Sequence, residues 1–266
     1  MKQILYLLGL LLLCSCNLEK DIDVDLPNHT PQLVVECYLV PGEPYRATVL
    51  ESSGYFDAPV PPLVPSAQVT ILKNGRPLNL TYRPVLHEAS GRYFTHSSRD
   101  IVSTKPGDVF ELRVTDAAGR KLSGFTKVLP VVPIEAVEWK FNDKNKAYLL
   151  MSFQDDPNAV NYYRYMTHRD SLSSGSDRDF NLNDNLTNGK RISVGSAYDY
   201  EEGDTLIVSL FHLEPAYYEY LNSVDEAKDA NGNPFAQPSL IRSSVQGGIG
   251  IFTNIALDRK RVILTR

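Results

Sequence analysis

The chain has 266 residues, of which 42% are hydrophobic, 10% aromatic and 22% charged, with 16 Gly and 17 Pro. These proportions are those of a folded globular protein, and they exclude disordered, collagen-like and coiled-coil chains. The formal net charge is −5, and the one tight basic cluster, residues 259–261, is typical of a solvated turn. We therefore expect no binding of nucleic acid.

The N-terminus resembles a bacterial lipoprotein signal. Lys2 precedes an apolar run over residues 4–13, which is too short to span a bilayer. Cys16 follows a Leu-x-Ser triplet, and in lipoproteins a cysteine at this place is acylated and becomes the new N-terminus. We therefore predict a signal peptide at residues 1–15 and a lipid anchor at Cys16. A plain secretory signal is the alternative.

Residues 16–31 are polar, acidic and bounded by proline, a composition that predicts a tether between the anchor and the folded part. Once Cys14 leaves with the signal and Cys16 is acylated, Cys37 is the remaining cysteine, so no intrachain disulfide can form. Cys37 alternates with polar neighbours in an apolar strand pattern. We expect its thiol to be buried.

Beyond the tether, apolar and polar residues alternate with a period of two, which is typical of half-buried strands. Asn74-Gly75 separates two such runs and predicts a hairpin, and a second hairpin is predicted at residues 116–119. About seven strands fit between Leu33 and Leu129. The fold class is therefore all-β, and residues 32–130 are predicted to form an immunoglobulin-like β-sandwich domain.

Two prolines within residues 130–133 mark a boundary, since proline interrupts strand pairing. A second β-rich domain is predicted over residues 131–266. Its segment 205–213 is apolar on both faces, which predicts a central strand. One helix is expected near residues 215–229, because Pro215 suits a first helical position and Asn231-Gly232 supplies a stop signal.

The sequence contains no nucleophile elbow, phosphate-binding glycine loop or Cys-x-x-Cys pair, and its five histidines are scattered. We therefore expect neither an enzyme nor a bound metal or cofactor. The segment 177–188 resembles a calcium loop, but Leu182 and Asn188 replace the required Gly and Glu. A long hairpin closing at Asn188-Gly189 is the preferred interpretation. A hydrolase built from dispersed carboxylates is left open.

Exposed aromatic rings are a second kind of residue that could bind a partner, because aromatic anchors dominate many interfaces. Tyr55 and Phe56 precede a proline-rich segment and are predicted to lie on a loop. Tyr217, Tyr218 and Tyr220 fall on the predicted helix, where packing against the sheet is the default expectation. We nevertheless include all five rings in a candidate partner-binding surface.

Several stretches together resemble the Bacteroidetes lipoprotein family called domain of unknown function 4249. The matching residues are 21–27, 33–36, 55–57, 67–71, 156–157, 161–164, 180–190, 203–204, 233–235 and 247–252. The resemblance implies an outer-membrane lipoprotein that faces the cell exterior and is often encoded beside a TonB-dependent receptor. It assigns no catalytic residue. The triplets that contain Ser171 and Thr205 are similar to the O-glycosylation sequon of that phylum.

The resulting hypothesis is a lipid-anchored, surface-exposed outer-membrane lipoprotein that works by binding, as an accessory to a TonB-dependent receptor in nutrient uptake. The ligand would be a peptide, a glycan or a chelate. The alternative is a surface adhesin or structural lipoprotein without a transporter partner. A hydrolase is the third hypothesis.

Overall fold

The computed structural model describes residues 29–54, 57–58, 60–88, 91–231 and 239–266. The predicted signal peptide, Cys16 and residues 17–28 of the tether lie outside the described residues. With 53% strand and 8% helix, the structure confirms the predicted all-β class, and the described residues contain one α-helix. Residues Pro31–Arg266 form one compact unit. In the described part, no helix is long and apolar enough to cross a bilayer.

The secondary structure alternates tight turns with short strands, as the period-two pattern predicts. In chain order the described elements are β1 (Leu33–Leu39), β2 (Pro44–Glu51), β3 (Gln68–Lys73), β4 (Arg76–His87), β5 (Arg92–Ile101), β6 (Val109–Thr115), β7 (Lys121–Lys127), β8 (Ile134–Phe141), β9 (Ala147–Gln154), β10 (Tyr162–Arg169), a 3₁₀ turn (Leu172–Ser174), β11 (Arg178–Asn183), β12 (Arg191–Gly195), β13 (Thr205–Leu213), α1 (Pro215–Ala230), β14 (Val245–Gln246), β15 (Ile249–Asn254) and β16 (Ala256–Ile263). Both hairpins predicted in the first half are confirmed. Asn74 and Gly75 have φ values of 48° and 81°, as a type I′ turn requires.

The first sheet has nine strands in the order β14-β7-β6-β3-β4-β5-β2-β1-β15. Its two end strands, β14 and β15, are consecutive in the chain, and β15 pairs in parallel with β1 while β14 pairs with β7. The sheet therefore curls back on itself around an apolar core. Cys37 lies in this core with 0% exposure, as predicted, and burial raises the pKa of its thiol to about 12.

The second half contains a four-stranded sheet, β11-β10-β13-β16, and a three-stranded sheet, β12-β9-β8. Their facing sides enclose a second core that includes Phe153, Tyr163 and Tyr165. The strand β13 lies between β10 and β16, which agrees with the central position predicted for residues 205–213. Helix α1 begins with Pro215 at its first turn and ends at Ala230, with Asn231 as its C-terminal cap, close to the predicted limits.

The structure differs from the sequence predictions at two places, a domain boundary and a hairpin. Residues 131–266 do not stand apart from the first sheet, because β14 and β15 pair with β7 and β1, and Val245 and Phe252 enter the first core. The long hairpin predicted around Asn188-Gly189 is wrong, since β11 pairs with β10 whereas β12 pairs with β9. The turn instead carries the chain from one sheet to the other.

The glycine-rich segment before β15 is pressed against the backbones of β1 and β7. A Cβ atom on Gly247 would overlap the carbonyl oxygen of Lys121, and one on Gly248 would overlap that of Leu33. Gly250 has a φ of +129°, and a Cβ atom there would overlap the carbonyl oxygen of Val35. Only glycine permits both the backbone conformation and the close approach at this position.

Glu214 joins the start of α1 to the first sheet. Its carboxylate accepts hydrogen bonds from the backbone N–H of Lys127 at 2.8 Å, the hydroxyl of Thr253 at 3.1 Å and the amide of Asn254 at 3.3 Å. The hydroxyl of Thr126 also bonds to this carboxylate. No cation is among these partners, and burial raises the pKa of Glu214 above its usual value.

We expect Gly250→Ala to destabilise the fold strongly. The reference variant is Gly107→Ala, because Gly107 has a φ of +92° but open space around its Cα. The positive φ alone should lower the free energy of unfolding by about 1–2 kcal/mol. Overlap with β1 should add at least about 2 kcal/mol for Gly250→Ala. Equal losses in equilibrium urea unfolding would contradict the close-packed closure.

We also expect the stability of the protein to depend on pH through Glu214. Because its folded-state pKa lies above the ordinary 4.5, the contribution of this group is complete below pH 4.5 and is lost as the pH rises through the folded-state pKa. Glu214→Gln removes this titration. Urea unfolding at several pH values should show the wild type losing stability relative to the variant as the pH rises. A difference in stability between the two proteins that does not change with pH would contradict this prediction.

Candidate functional site

An open cleft of about 650 Å³ lies between the first sheet and the four-stranded sheet. One wall comes from β1, β2, β4 and β5, and the other from the turn after β10 together with one residue of β13. The residues used below are Tyr38, Glu43, Arg46, His87, Arg92 and Phe94 on the first wall, and Asp170, Ser171, Ser173 and Ile207 on the second. We call this the inter-sheet cleft. Its volume suits a small ligand.

The first wall is the outer face of the first sheet. Residues of β1 and β2 alternate between the two faces, so Cys37 and Ala47 enter the core while Tyr38 and Arg46 point the other way. The same alternation that builds the core therefore also builds the wall. The rings and cations of the wall are held on paired strands, and strands position side chains more precisely than loops do.

Two guanidinium groups lie over aromatic rings on this wall. The guanidinium carbon of Arg92 is 4.4 Å from the ring centre of Tyr38, and that of Arg46 is 5.3 Å from the ring centre of Phe94. His87 meets the ring of Phe94 edge-on with 6.0 Å between ring centres. Cation–π contact contributes about 0.5–1 kcal/mol at exposed sites.

The charges of the inter-sheet cleft are only partly matched. Arg46 forms an ion pair with Glu43 at 3.1 Å. Arg92 and Asp170 also line the cleft, and in the part of the chain that the structure describes neither forms an ion pair, with each other or with a third residue. A guanidinium and a carboxylate are thus left facing the solvent of the same cleft.

The second wall is a hydroxyl-rich turn. Asp170 has a φ of 57°, and its backbone N–H donates to the carbonyl of Thr205 at 2.9 Å, which ties the turn to β13. The hydroxyl of Ser171 accepts from the backbone N–H of Ser173 at 3.2 Å and lies 2.8 Å from that residue's hydroxyl. This exposed turn presents two hydroxyls beside the carboxylate of Asp170.

Helix α1 fills the rest of the space between the two sheets. The ring of Tyr217 is 5% exposed and meets Tyr38 edge-on with 5.9 Å between ring centres. Tyr218 packs on Tyr162 at 4.6 Å, and Tyr220 is half-buried. Burial raises the pKa of Tyr220 to about 12.

The helix residues of the predicted partner surface are therefore packing residues in large part. Tyr217 does not present its ring to solvent, because α1 turns it into the apolar cluster formed with Leu213 and Ile251. Tyr55 and Phe56, the loop residues of that surface, lie outside the described residues. The inter-sheet cleft was not predicted from the sequence. Its available signal was the pair of outward-facing aromatic positions, Tyr38 and Phe94.

The acidic segment that resembles a calcium loop is a strand. Residues of β11 alternate between faces, and Asp179 binds Arg164 through two hydrogen bonds of 2.6 Å while Asp177 bonds to Arg169 at 2.9 Å. These carboxylates are thus engaged with arginines. Across the described ranges, no three His, Cys, Asp or Glu side chains are grouped so that they could hold a metal ion.

The family model described as "Domain of unknown function (DUF4249)" matches residues 19–261. The chain belongs to this family. A comparison with curated proteins finds no match. Among solved structures, a chain of a cytokine receptor complex is 13% identical with a TM-score of 0.26, and the match covers 69% of this chain and 86% of that chain. The FN1–FN3 domains of chicken CNTN1 are 10% identical with a TM-score of 0.25, covering 69% and 62%.

The DUF4249 match spans both sheets and both walls of the inter-sheet cleft. It includes the glycine-rich segment that closes the first sheet, and it includes Arg92 and Asp170. Family membership is therefore a property of the whole folded unit and not of one of its halves.

Tyr217 offers a direct test of the packing role of α1. We expect Tyr217→Ala to lower the free energy of unfolding by about 3–5 kcal/mol, because a buried ring is removed. Tyr217→Phe keeps the ring and should lose less than about 1.5 kcal/mol. Urea unfolding measures both, and hydrogen exchange should show loss of protection in α1 for the alanine variant. If Tyr217→Ala were as stable as the wild type, the packing role of this ring would be wrong, and the ring would again be a candidate for the partner surface.

Proposed function

We propose that this protein is a lipid-anchored outer-membrane lipoprotein, facing the cell exterior, that binds a small ligand in the inter-sheet cleft as an accessory to a TonB-dependent receptor. The observation that carries the binding role is the presence of Arg92 and Asp170, opposite charges without ion-pair partners, in one cleft of about 650 Å³. Exposed charges in a concave, partly aromatic site are the usual means of fixing a ligand's orientation.

The location rests on the N-terminus. The apolar run over residues 4–13, followed by Cys16 after Leu-x-Ser, supports acylation and anchoring at Cys16. The acidic tether that follows supports a folded unit held clear of the lipid headgroups. The resemblance to Bacteroidetes lipoproteins supports the outer membrane and the receptor partner.

The rigidity of the cleft supports a binding role. Its first wall is built on paired strands, and the guanidinium groups of Arg46 and Arg92 are held by aromatic rings. A wall that is already ordered loses little conformational entropy when a ligand arrives. More of the free energy of the polar contacts with the ligand then contributes to the binding affinity.

Purification of the full-length protein from native outer membranes in mild detergent tests the receptor role. Mass spectrometry should find a β-barrel receptor in near-equal amount. Cys16→Ala is the matched control, because it keeps the folded unit but removes the acylated residue, and it should leave the membrane fraction. Recovery of the acylated protein alone would contradict the accessory role and favour the adhesin alternative.

A further inference from the structure

We infer that the ligand of the inter-sheet cleft is zwitterionic, with an anionic group that binds Arg92 and a cationic group that binds Asp170, as in a short peptide with free termini. This inference rests on the proposed binding role of the cleft and adds the chemical class of the ligand.

Arg92 is prepared to bind an anion. The carbon of its guanidinium lies 4.4 Å from the ring centre of Tyr38, and a guanidinium presents planar edges of N–H donors. Among the described residues no carboxylate pairs with it, in contrast to Arg46 on the same wall, which is paired with Glu43 at 3.1 Å. A carboxylate can accept two parallel hydrogen bonds from such an edge.

Asp170 is prepared to bind a cation. Its residue is held in the left-handed region with a φ of 57°, and the bond from its N–H to the carbonyl of Thr205 fixes the turn. Among the described residues its carboxylate forms no ion pair. The side chains of Ser171 and Ser173 belong to the same wall of the cleft. Carboxylate and hydroxyl oxygens are acceptors for the N–H groups of an ammonium.

The separation of the two charges selects the ligand. Arg92 and Asp170 line the same cleft and yet are too far apart to pair with each other, so one charge cannot neutralise the other. A ligand that carries one charge would pair with either Arg92 or Asp170 and leave the other of these two residues without a partner of opposite charge. A molecule with a carboxylate at one end and an ammonium at the other matches both walls. Ile207 and Phe94 add apolar surface to the lining of the cleft.

A neutral glycan fits this arrangement less well. Both aromatic rings of the first wall, Tyr38 and Phe94, already have a guanidinium over one face. Sugar binding would also leave the charges of Arg92 and Asp170 without partners. The peptide class is therefore the one that the charge pattern favours.

Isothermal titration of the full-length protein in detergent tests the inference, with the tripeptide Ala-Leu-Ala as the probe. The matched probes are its N-acetylated form, which lacks the ammonium, and its C-terminal amide, which lacks the carboxylate. We expect the free tripeptide to bind and each blocked form to bind at least about tenfold more weakly, since each loses one charge-assisted contact.

Two variants test which residue of the cleft binds each charged end of the peptide. Asp170→Asn suits the positive φ, because Asn tolerates this region, and it should abolish the discrimination against the N-acetylated peptide only. Arg92→Gln should abolish the discrimination against the amide only. The control variants Asp143→Asn and Arg83→Gln change exposed charges outside the cleft and should bind like the wild type.

Equal binding of the free and blocked peptides would overturn the zwitterionic class. Unchanged discrimination in both cleft variants would overturn the assignment of the two charges to Arg92 and Asp170. No binding of the free tripeptide up to about 1 mM would overturn the zwitterionic class too. Co-purification with the receptor is measured separately. A receptor recovered in near-equal amount alongside any of these results would leave the accessory role standing and reject the peptide class.

Discussion

The close approach of the glycine-rich segment to β1 and β7 is the contact on which the rest of the structure depends. Gly250 can lie against Val35 only because it has no Cβ atom, and β15 can then pair in parallel with β1. Parallel pairing requires a crossover, and here the crossover is the whole chain between the two strands. If β15 were displaced, the first sheet would lose its closure, and Phe252 would leave the first core.

This closure also sets the position of the inter-sheet cleft. With β15 fixed beside β1, the N-terminal end of helix α1 is held by two contacts. Glu214 binds donors on β7 and β15, and Tyr217 packs on Tyr38 and Ile251. The helix fills one part of the space between the sheets. The remaining part is open, and aromatic rings and charged side chains line it together with aliphatic residues such as Ile207. The cleft is thus the portion of an inter-sheet space that the helix does not reach.

The elements that could be predicted are those encoded by local chemistry. Asn74-Gly75 specifies its hairpin through positive φ values, and Pro215 specifies the start of α1 through its fixed φ. The partner of β15 could not be predicted, because strand pairing at this distance is decided by packing across the fold. Arg92 and Asp170 could not be placed together either. In sequence each resembles an ordinary solvated charge, and only the fold shows that they line one cleft.

The two arginines of the first wall show why exposure alone does not identify a binding residue. Both guanidinium groups rest on rings, and both lie on strands of the first sheet. Arg46 has Glu43 beside it, so a ligand carboxylate would have to compete with an existing ion pair. Arg92 has its ring contact without an ion pair in the described part of the chain, although Glu36 lines a smaller adjoining pocket with it, so an incoming carboxylate has no ion pair to displace. Between two similar side chains, the capacity to bind is set by what the fold has left unmatched.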